Sequence, residues 1–176
     1  VGRKIMYSVT KLISLLDKPF IPKWANNLGL NGISLDKYMK EKSKQGDNKH
    51  EEVQNYLLNG IEFDGFEKVK YIKDTFEVVG CEIDIDNGFI KGRVDLILKH
   101  LDDIYIVDFK SNDRIYLSTK LQLSAYSEIV GANRIFYMNF TNYELIELNI
   151  DVDKYYEIIK RLYQIQKSLD NLNERL

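Results

Sequence analysis

Two apolar runs in this chain carry charge where a buried strand ordinarily carries none. In Ile104-Tyr105-Ile106-Val107-Asp108-Phe109-Lys110 the alternation of a strand sends Asp108 and Lys110 to one face and Tyr105, Val107 and Phe109 to the other. The preceding run, residues 89–98, holds Asp95, and Lys99-His100-Leu101-Asp102-Asp103 reads as the turn that folds the two runs into an antiparallel hairpin. Pairing of this kind brings Asp95 beside Asp108. A buried, unpaired carboxylate or ammonium is costly, and the simplest compensating partner here is a metal ion. Two hard oxygen ligands suit Mg2+ or Mn2+, and a neighbouring lysine orients or deprotonates water and stabilises charge growing on a phosphoryl group.

The rest of the chain is arranged around that hairpin. Ser8 caps a helix with apolar positions at Val9, Leu12, Ile13 and Leu16. Its N-terminus offers N–H groups and a hydroxyl to a phosphate, although an ordinary N-cap accounts for the same residues. Pro19 and Pro22 break this helix and start a short one, whose Trp24 reads as a core anchor in preference to a base-stacking platform. A polar-faced helix spans residues 34–44 and is ended by Gly46; Asp47 then caps another over residues 48–59, closed by Gly60. His50, Val53 and Leu57 share its inward stripe, a usual place for a core histidine. Lys37, Lys40, Lys42, Lys44 and Lys49 make either a solvated face or a local positive patch.

A helix over residues 64–75 turns Phe66, Val69 and Ile72 inward, and from Phe76 the period becomes two. Strands over 76–84 and 89–98 flank Asp86-Asn87-Gly88, a strong hairpin signal. After Lys110 a polar loop, residues 111–114, borders the cleft; a helix over 118–130 then carries Gln122 and Tyr126 on one side. Strands over 134–140 and 144–150 form a second hairpin. The last helix, from Val152, carries Tyr155, Ile159, Leu162, Leu169 and Leu176 near heptad spacing, a stripe that more often packs on its own sheet than on a partner.

Gly92-x-x-Asp95, then Asp108-x-Lys110 at the end of the next strand, then Gln122-x-x-x-Tyr126 on a helix, with His50 on a helix upstream, resembles the motif set of the PD-(D/E)xK nuclease superfamily. Within it the resemblance is to the RecB-like exonuclease branch, and there to the mitochondrial genome maintenance exonucleases and their phage-encoded relatives. It runs from Tyr7-Ser8-Val9-Thr10 to Tyr126. Asp-x-Lys alone arises by chance in many proteins; the ordered set is specific.

The resemblance implies one restriction-endonuclease-like α/β domain over residues 1–176. Residues 1–75 would be mainly helical, 76–150 a mixed β-sheet of about five strands flanked by helices, and 151–176 a C-terminal helix. The strand after Gln122-x-x-x-Tyr126 would join the sheet in parallel. His50, Asp95 and Asp108 would hold Mg2+ or Mn2+, with the carbonyl of Phe109 as a further ligand and Lys110 beside the nucleophile. Gln122, Tyr126, Ser8 and Thr10 would bind substrate. Many relatives carry a glutamate on the first strand; Glu82 is the nearest match, and its role stays open. The implied reaction is hydrolysis of DNA, single-stranded or with free ends, by an exonuclease. An endonuclease of the same fold is the competing reading, followed by a catalytically silent DNA-binding subunit, which the presence of Asp95, Asp108 and Lys110 disfavours.

Composition bounds the setting. A chain of 176 residues with 44% hydrophobic and 30% charged content is sized for one globular domain. No apolar run approaches the roughly 20 residues that span a bilayer, and no secretory signal precedes the first helix, so no membrane partner is expected. A single cysteine, Cys81, excludes an internal disulfide framework and a four-cysteine zinc or iron–sulfur cluster. The expected compartment is therefore reducing and intracellular: the cytoplasm, or the mitochondrion of a eukaryote, with a phage origin equally open. The net charge of −2 lacks the basic excess of non-specific nucleic-acid binders, so positive charge for DNA must be local.

Overall fold

Asp86-Asn87-Gly88 makes the turn its residues predict. Gly88 takes a φ of 80°, left-handed backbone that suits glycine, while Asn87 Oδ1 accepts the N–H groups of Phe89 and Ile90, each at 3.1 Å. The computed structural model describes residues 5–16, 18, 20–110 and 114–173. In chain order its elements are β1 (Tyr7–Ser8), α1 (Val9–Ile13), α2 (Phe20–Leu30), α3 (Leu35–Asn59), α4 (Glu67–Thr75), β2 (Glu77–Asp86), β3 (Ile90–His100), β4 (Asp103–Lys110), α5 (Leu117–Val130), β5 (Arg134–Asn139), β6 (Glu144–Glu147) and α6 (Val152–Asn173).

The six strands form one mixed sheet with β3 as its axis. β2 runs antiparallel along one edge of β3, from Asp86 opposite Lys91 to Glu77 opposite Lys99. The other edge is shared: β1 pairs in parallel at Ile90 and Lys91, and β4 pairs antiparallel from Leu96 to His100. Among the described residues, positions 92–95 of β3 therefore have no strand partner on that side. The chain leaves β4, crosses through α5 and returns as β5, parallel to β4, as the family fold implied; β6 closes the sheet antiparallel to β5.

Each face of the sheet has its own core. Val94, Ile97 and Ile106 pack with Val9 and Leu12 of α1, Leu121 and Ala125 of α5, and Ile159 and Leu162 of α6. On the opposite face Leu96, Leu98, Val107 and Phe109 pack with Val53 and Leu57 of α3 and with Val69 and Ile72 of α4. The short N-terminal strand is tied to α6: Tyr7 donates to Asp170 at 2.5 Å and Tyr163 donates to the Ile5 carbonyl at 3.0 Å. Those bonds hold Ser8, whose Oγ caps α1 by accepting from the Lys11 N–H at 3.2 Å.

The β2–β3 register shifts between Val78 and Gly80, and further along the pleat slips in both strands together. Residues two apart on a strand share a face, yet Val94 lies in the core under α5 and Leu96 in the core under α3. In β2, Ile83 and Cys81 divide in the same way. The residues between, Asp95 and Glu82, face each other across the hairpin, between the pairs Cys81–Leu96 and Ile83–Val94. Glu82 takes a φ of 51°, left-handed backbone that a side chain strains to adopt. Such strain is typical of functional sites.

Several expectations need correction. Gly46 does not end a helix and Asp47 does not start one: α3 is continuous over 25 residues. A lone glycine costs a helix only about 1 kcal/mol relative to alanine, and the Lys- and Glu-rich flanks are good helix formers. Trp24 is not a core anchor, since it lies in neither core and meets Tyr38 of α3 edge-on at 5.8 Å. α4 begins at Glu67, after a turn in which Gly65 has a φ of 94°. The α6 stripe is buried at Ile159, Leu162 and Tyr163 against α5 and α1, whereas Leu169 is 42% exposed. Leu176 and loop residues 111–113 lie outside the described residues.

Candidate active site and metal centre

The slip at Asp95 places its carboxylate over β4, where Oδ2 accepts the Phe109 N–H at 2.7 Å. Burial, and next the charge of Asp108, push the Asp95 carboxyl up to about 7, against the Phe109 bond, which favours ionisation. Asp108 is 5% exposed. Burial raises its pKa too, opposed by Lys110 and His50. Lys110 Nζ stands 2.5 Å from Asp108 Oδ2, as an ion pair and not as an aligned hydrogen bond. The alternation expected of β4 is thus observed. Buried Asp108 and half-buried Asp95 thus share one ammonium and the nearby His50 ring.

His50 reaches this cluster from α3. Its ring sits edge-on between Phe109, at 5.0 Å, and Phe140, at 5.1 Å, and its Nδ1 is 3.6 Å from Glu82 Oε1. His50, Glu82 and Asp95 each offer one ligand atom, and the three atoms lie within 4.8 Å of one another. Ligands on opposite sides of a Mg2+ ion are separated by up to roughly 4.2 Å, so small side-chain movements close this set around a cation. One imidazole nitrogen and two carboxylates fit Mg2+ or Mn2+ in donor type. Asp108 is outside that trio, its carboxylate being engaged by Lys110. Phe109 contributes its N–H to Asp95 and its ring to His50.

Glu82, whose role the sequence leaves open, is the residue that joins His50 and Asp95 in this group. The signal was present, because Glu82 lies between Cys81 and Ile83 just as Asp95 lies between Val94 and Leu96. Lys49, which the sequence offers only as part of a solvated face or positive patch, has specific partners. Its ammonium donates to the Phe140 carbonyl at 3.2 Å and lies over the rings of Phe140 and Tyr143, while the Phe140 N–H donates to the Lys110 carbonyl at 3.0 Å. Phe140 thereby links the helix bearing His50 to the strand end bearing Lys110.

Gly92 and Tyr126 explain the spacing of two motifs. A Cβ at Gly92 would stand 2.2 Å from Tyr126 Cε1 and 2.6 Å from the hydroxyl. Only glycine admits the ring, whose hydroxyl receives the Arg93 backbone N–H and the Gln122 Nε2 at 3.2 Å. Burial raises the Tyr126 pKa most; those two hydrogen bonds oppose it, and the nearby charges of Asp95 and Asp108 add to it. From Tyr126 a groove of about 650 Å³ leads away along the partnerless stretch of β3, and Ser8, Thr10, Gln122 and Tyr126 all line it. Ser8 Oγ and Thr10 Oγ1 are 3.2 Å apart.

Carboxylates, an imidazole and an ammonium gather on the mixed sheet with a polar groove alongside. Residues 34–174 match the family model of the PD-(D/E)XK nuclease superfamily, and the chain belongs to that superfamily. Its members are hydrolases that use divalent metals, and DNA is the substrate that membership implies. The crystal structure of SSO0001 is similar to this chain at 19% identity, covering 94% of this chain and 79% of that one with a TM-score of 0.47. No curated protein matches. Among the described residues no helix is long and apolar enough to cross a membrane.

Proposed function

We propose that this protein is a Mg2+- or Mn2+-dependent deoxyribonuclease that acts as an exonuclease on single-stranded DNA or DNA ends. In this reading its motifs resemble those of the RecB-like branch, including the mitochondrial genome maintenance exonucleases and phage relatives. The observation that supports this reading is the proximity of Asp95, Asp108 and Lys110 at the β3–β4 pair, on the same strand β3 that lines a groove with Ser8, Thr10, Gln122 and Tyr126.

His50, Glu82 and Asp95 would hold the cation, joined by Asp108 when Lys110 releases it and by the Phe109 carbonyl. A cation bound there supplies charge neutralisation and acidifies water. Lys110 orients the attacking water and stabilises the charge that builds on the phosphate oxygens. Before that release Asp108 holds the ammonium at this strand end. Gln122, Tyr126, Ser8 and Thr10 hold the strand, the first two through a shared hydrogen bond that fixes their relative position.

The test is incubation with end-labelled single- and double-stranded DNA and with circular single-stranded DNA, with and without Mg2+ or Mn2+, followed by product sizing. Progressive shortening from an end, abolished by chelation, with circles intact, is the expected result. Cut circles would establish an endonuclease instead, and metal-independent cleavage or none would overturn the proposal.

A further inference from the structure

The groove holds charges outside the cluster of buried carboxylates. Lys91 and Arg93 line it from β3, and Asp84 and Asp86 line it from β2. The hairpin register sets Asp84 opposite Arg93 and Asp86 opposite Lys91. Arg93 grips Asp84 with both prongs of its guanidinium, Nε to Oδ1 at 2.8 Å and the second nitrogen to Oδ2 at 3.3 Å. Both side chains are largely exposed, at 58% and 76%, so water and salt screen the pair and hold it weakly. The same fork fits two oxygens of a phosphate as well as two of a carboxylate. Its backbone N–H faces the Tyr126 hydroxyl.

We propose that Arg93 binds a backbone phosphate of the substrate strand and that Asp84 is its internal competitor, displaced when the phosphate arrives. This rests on the nuclease function proposed above. Asp84 neutralises Arg93 in the empty groove and returns to it when the strand leaves, so it weakens the hold on DNA and favours release. Lys91, opposite Asp86, does not form the same fork, because an ammonium has no planar pair of donors.

The test uses the full chain, a fluorescent single-stranded oligonucleotide and Ca2+ in place of Mg2+, with sizing of the oligonucleotide after each titration to confirm that it is intact. Arg93→Gln is expected to weaken binding about five- to tenfold and to reduce the salt slope by roughly 0.7, the value for one contact to a single strand. Asp84→Asn is expected to tighten binding about threefold in the natural chain and to change it less than about 1.5-fold in the Arg93→Gln background. Unchanged binding by Arg93→Gln, or equal tightening by Asp84→Asn in both backgrounds, would overturn the assignment. If the natural chain binds and cleaves DNA while these variants are silent, only the Arg93 assignment falls; if the natural chain does neither, the proposed function falls with it.

Discussion

Gly92 lies against the Tyr126 ring so closely that a methyl group there would stand 2.2 Å from Cε1. Two motifs separated by a strand and a helix are thus one packing unit. Gly92→Ala is expected to destabilise the fold by about 1–3 kcal/mol, the usual cost of overpacking, and to displace the Tyr126 hydroxyl from the Arg93 amide. In a Tyr126→Ala background the same substitution should cost much less, because the clash is gone. Thermal unfolding of the four proteins measures this, and equal costs in both backgrounds would refute the packing argument.

Asp108→Asn and Lys110→Ala should each leave the far-ultraviolet circular dichroism spectrum unchanged and lower DNA cleavage by about 10²–10⁴-fold. The reason is that the ion pair at 2.5 Å is the only route by which a carboxylate orients the ammonium at this strand end among the described residues. Near-normal cleavage by both variants would exclude this centre as the catalytic one.

The raised Asp95 pKa gives the metal-free protein a pH dependence of definite sign. Its folded value of about 7 exceeds the ordinary 3.8, so the folded state holds the proton more tightly than the unfolded chain. The contribution is full below about pH 4 and is lost as pH rises toward 7, and stability levels off above that. In EDTA, Asp95→Asn should therefore be more stable than the natural chain at pH 8, by on the order of 1–3 kcal/mol or several degrees in Tm, and nearly equal to it at pH 4. Added Mn2+ should raise the Tm of the natural chain more at pH 8 than at pH 5 and should do little for the variant. A natural chain whose stability rises between pH 4 and 7 through this site would contradict the assignment.

Glu82 combines a strained backbone with a ligand position. With a φ of 51°, Glu82→Gly should be more stable than Glu82→Ala by about 1 kcal/mol, since both lose the carboxylate and only glycine relieves the left-handed conformation. Both should bind Mn2+ more weakly than the natural chain, by about ten- to a hundredfold. Isothermal titration and chemical denaturation read the two effects separately. If Glu82→Ala binds Mn2+ like the natural chain, Glu82 is a structural neighbour of His50 and not a ligand.

Local pattern determined much of this protein. Alternation assigned Asp108 and Lys110 to one face of β4, turn chemistry assigned Asp86-Asn87-Gly88 to a turn, and helical spacing put Gln122 and Tyr126 on one side of a helix, because each depends only on residues a few positions apart. The order of the motifs indicated the superfamily, and the sheet of about five strands lacked only the two-residue β1, too short to leave a period. Tertiary structure alone decided the rest. The slip that turns Glu82 and Asp95 toward one another is invisible to a period of two, since it breaks that period, and it survives because both strands slip together. The clamp of Lys49 on Phe140 and the grip of Arg93 on Asp84 follow from the same cause: their energies come from groups that meet only after the sheet has formed, so no stretch of sequence contains them.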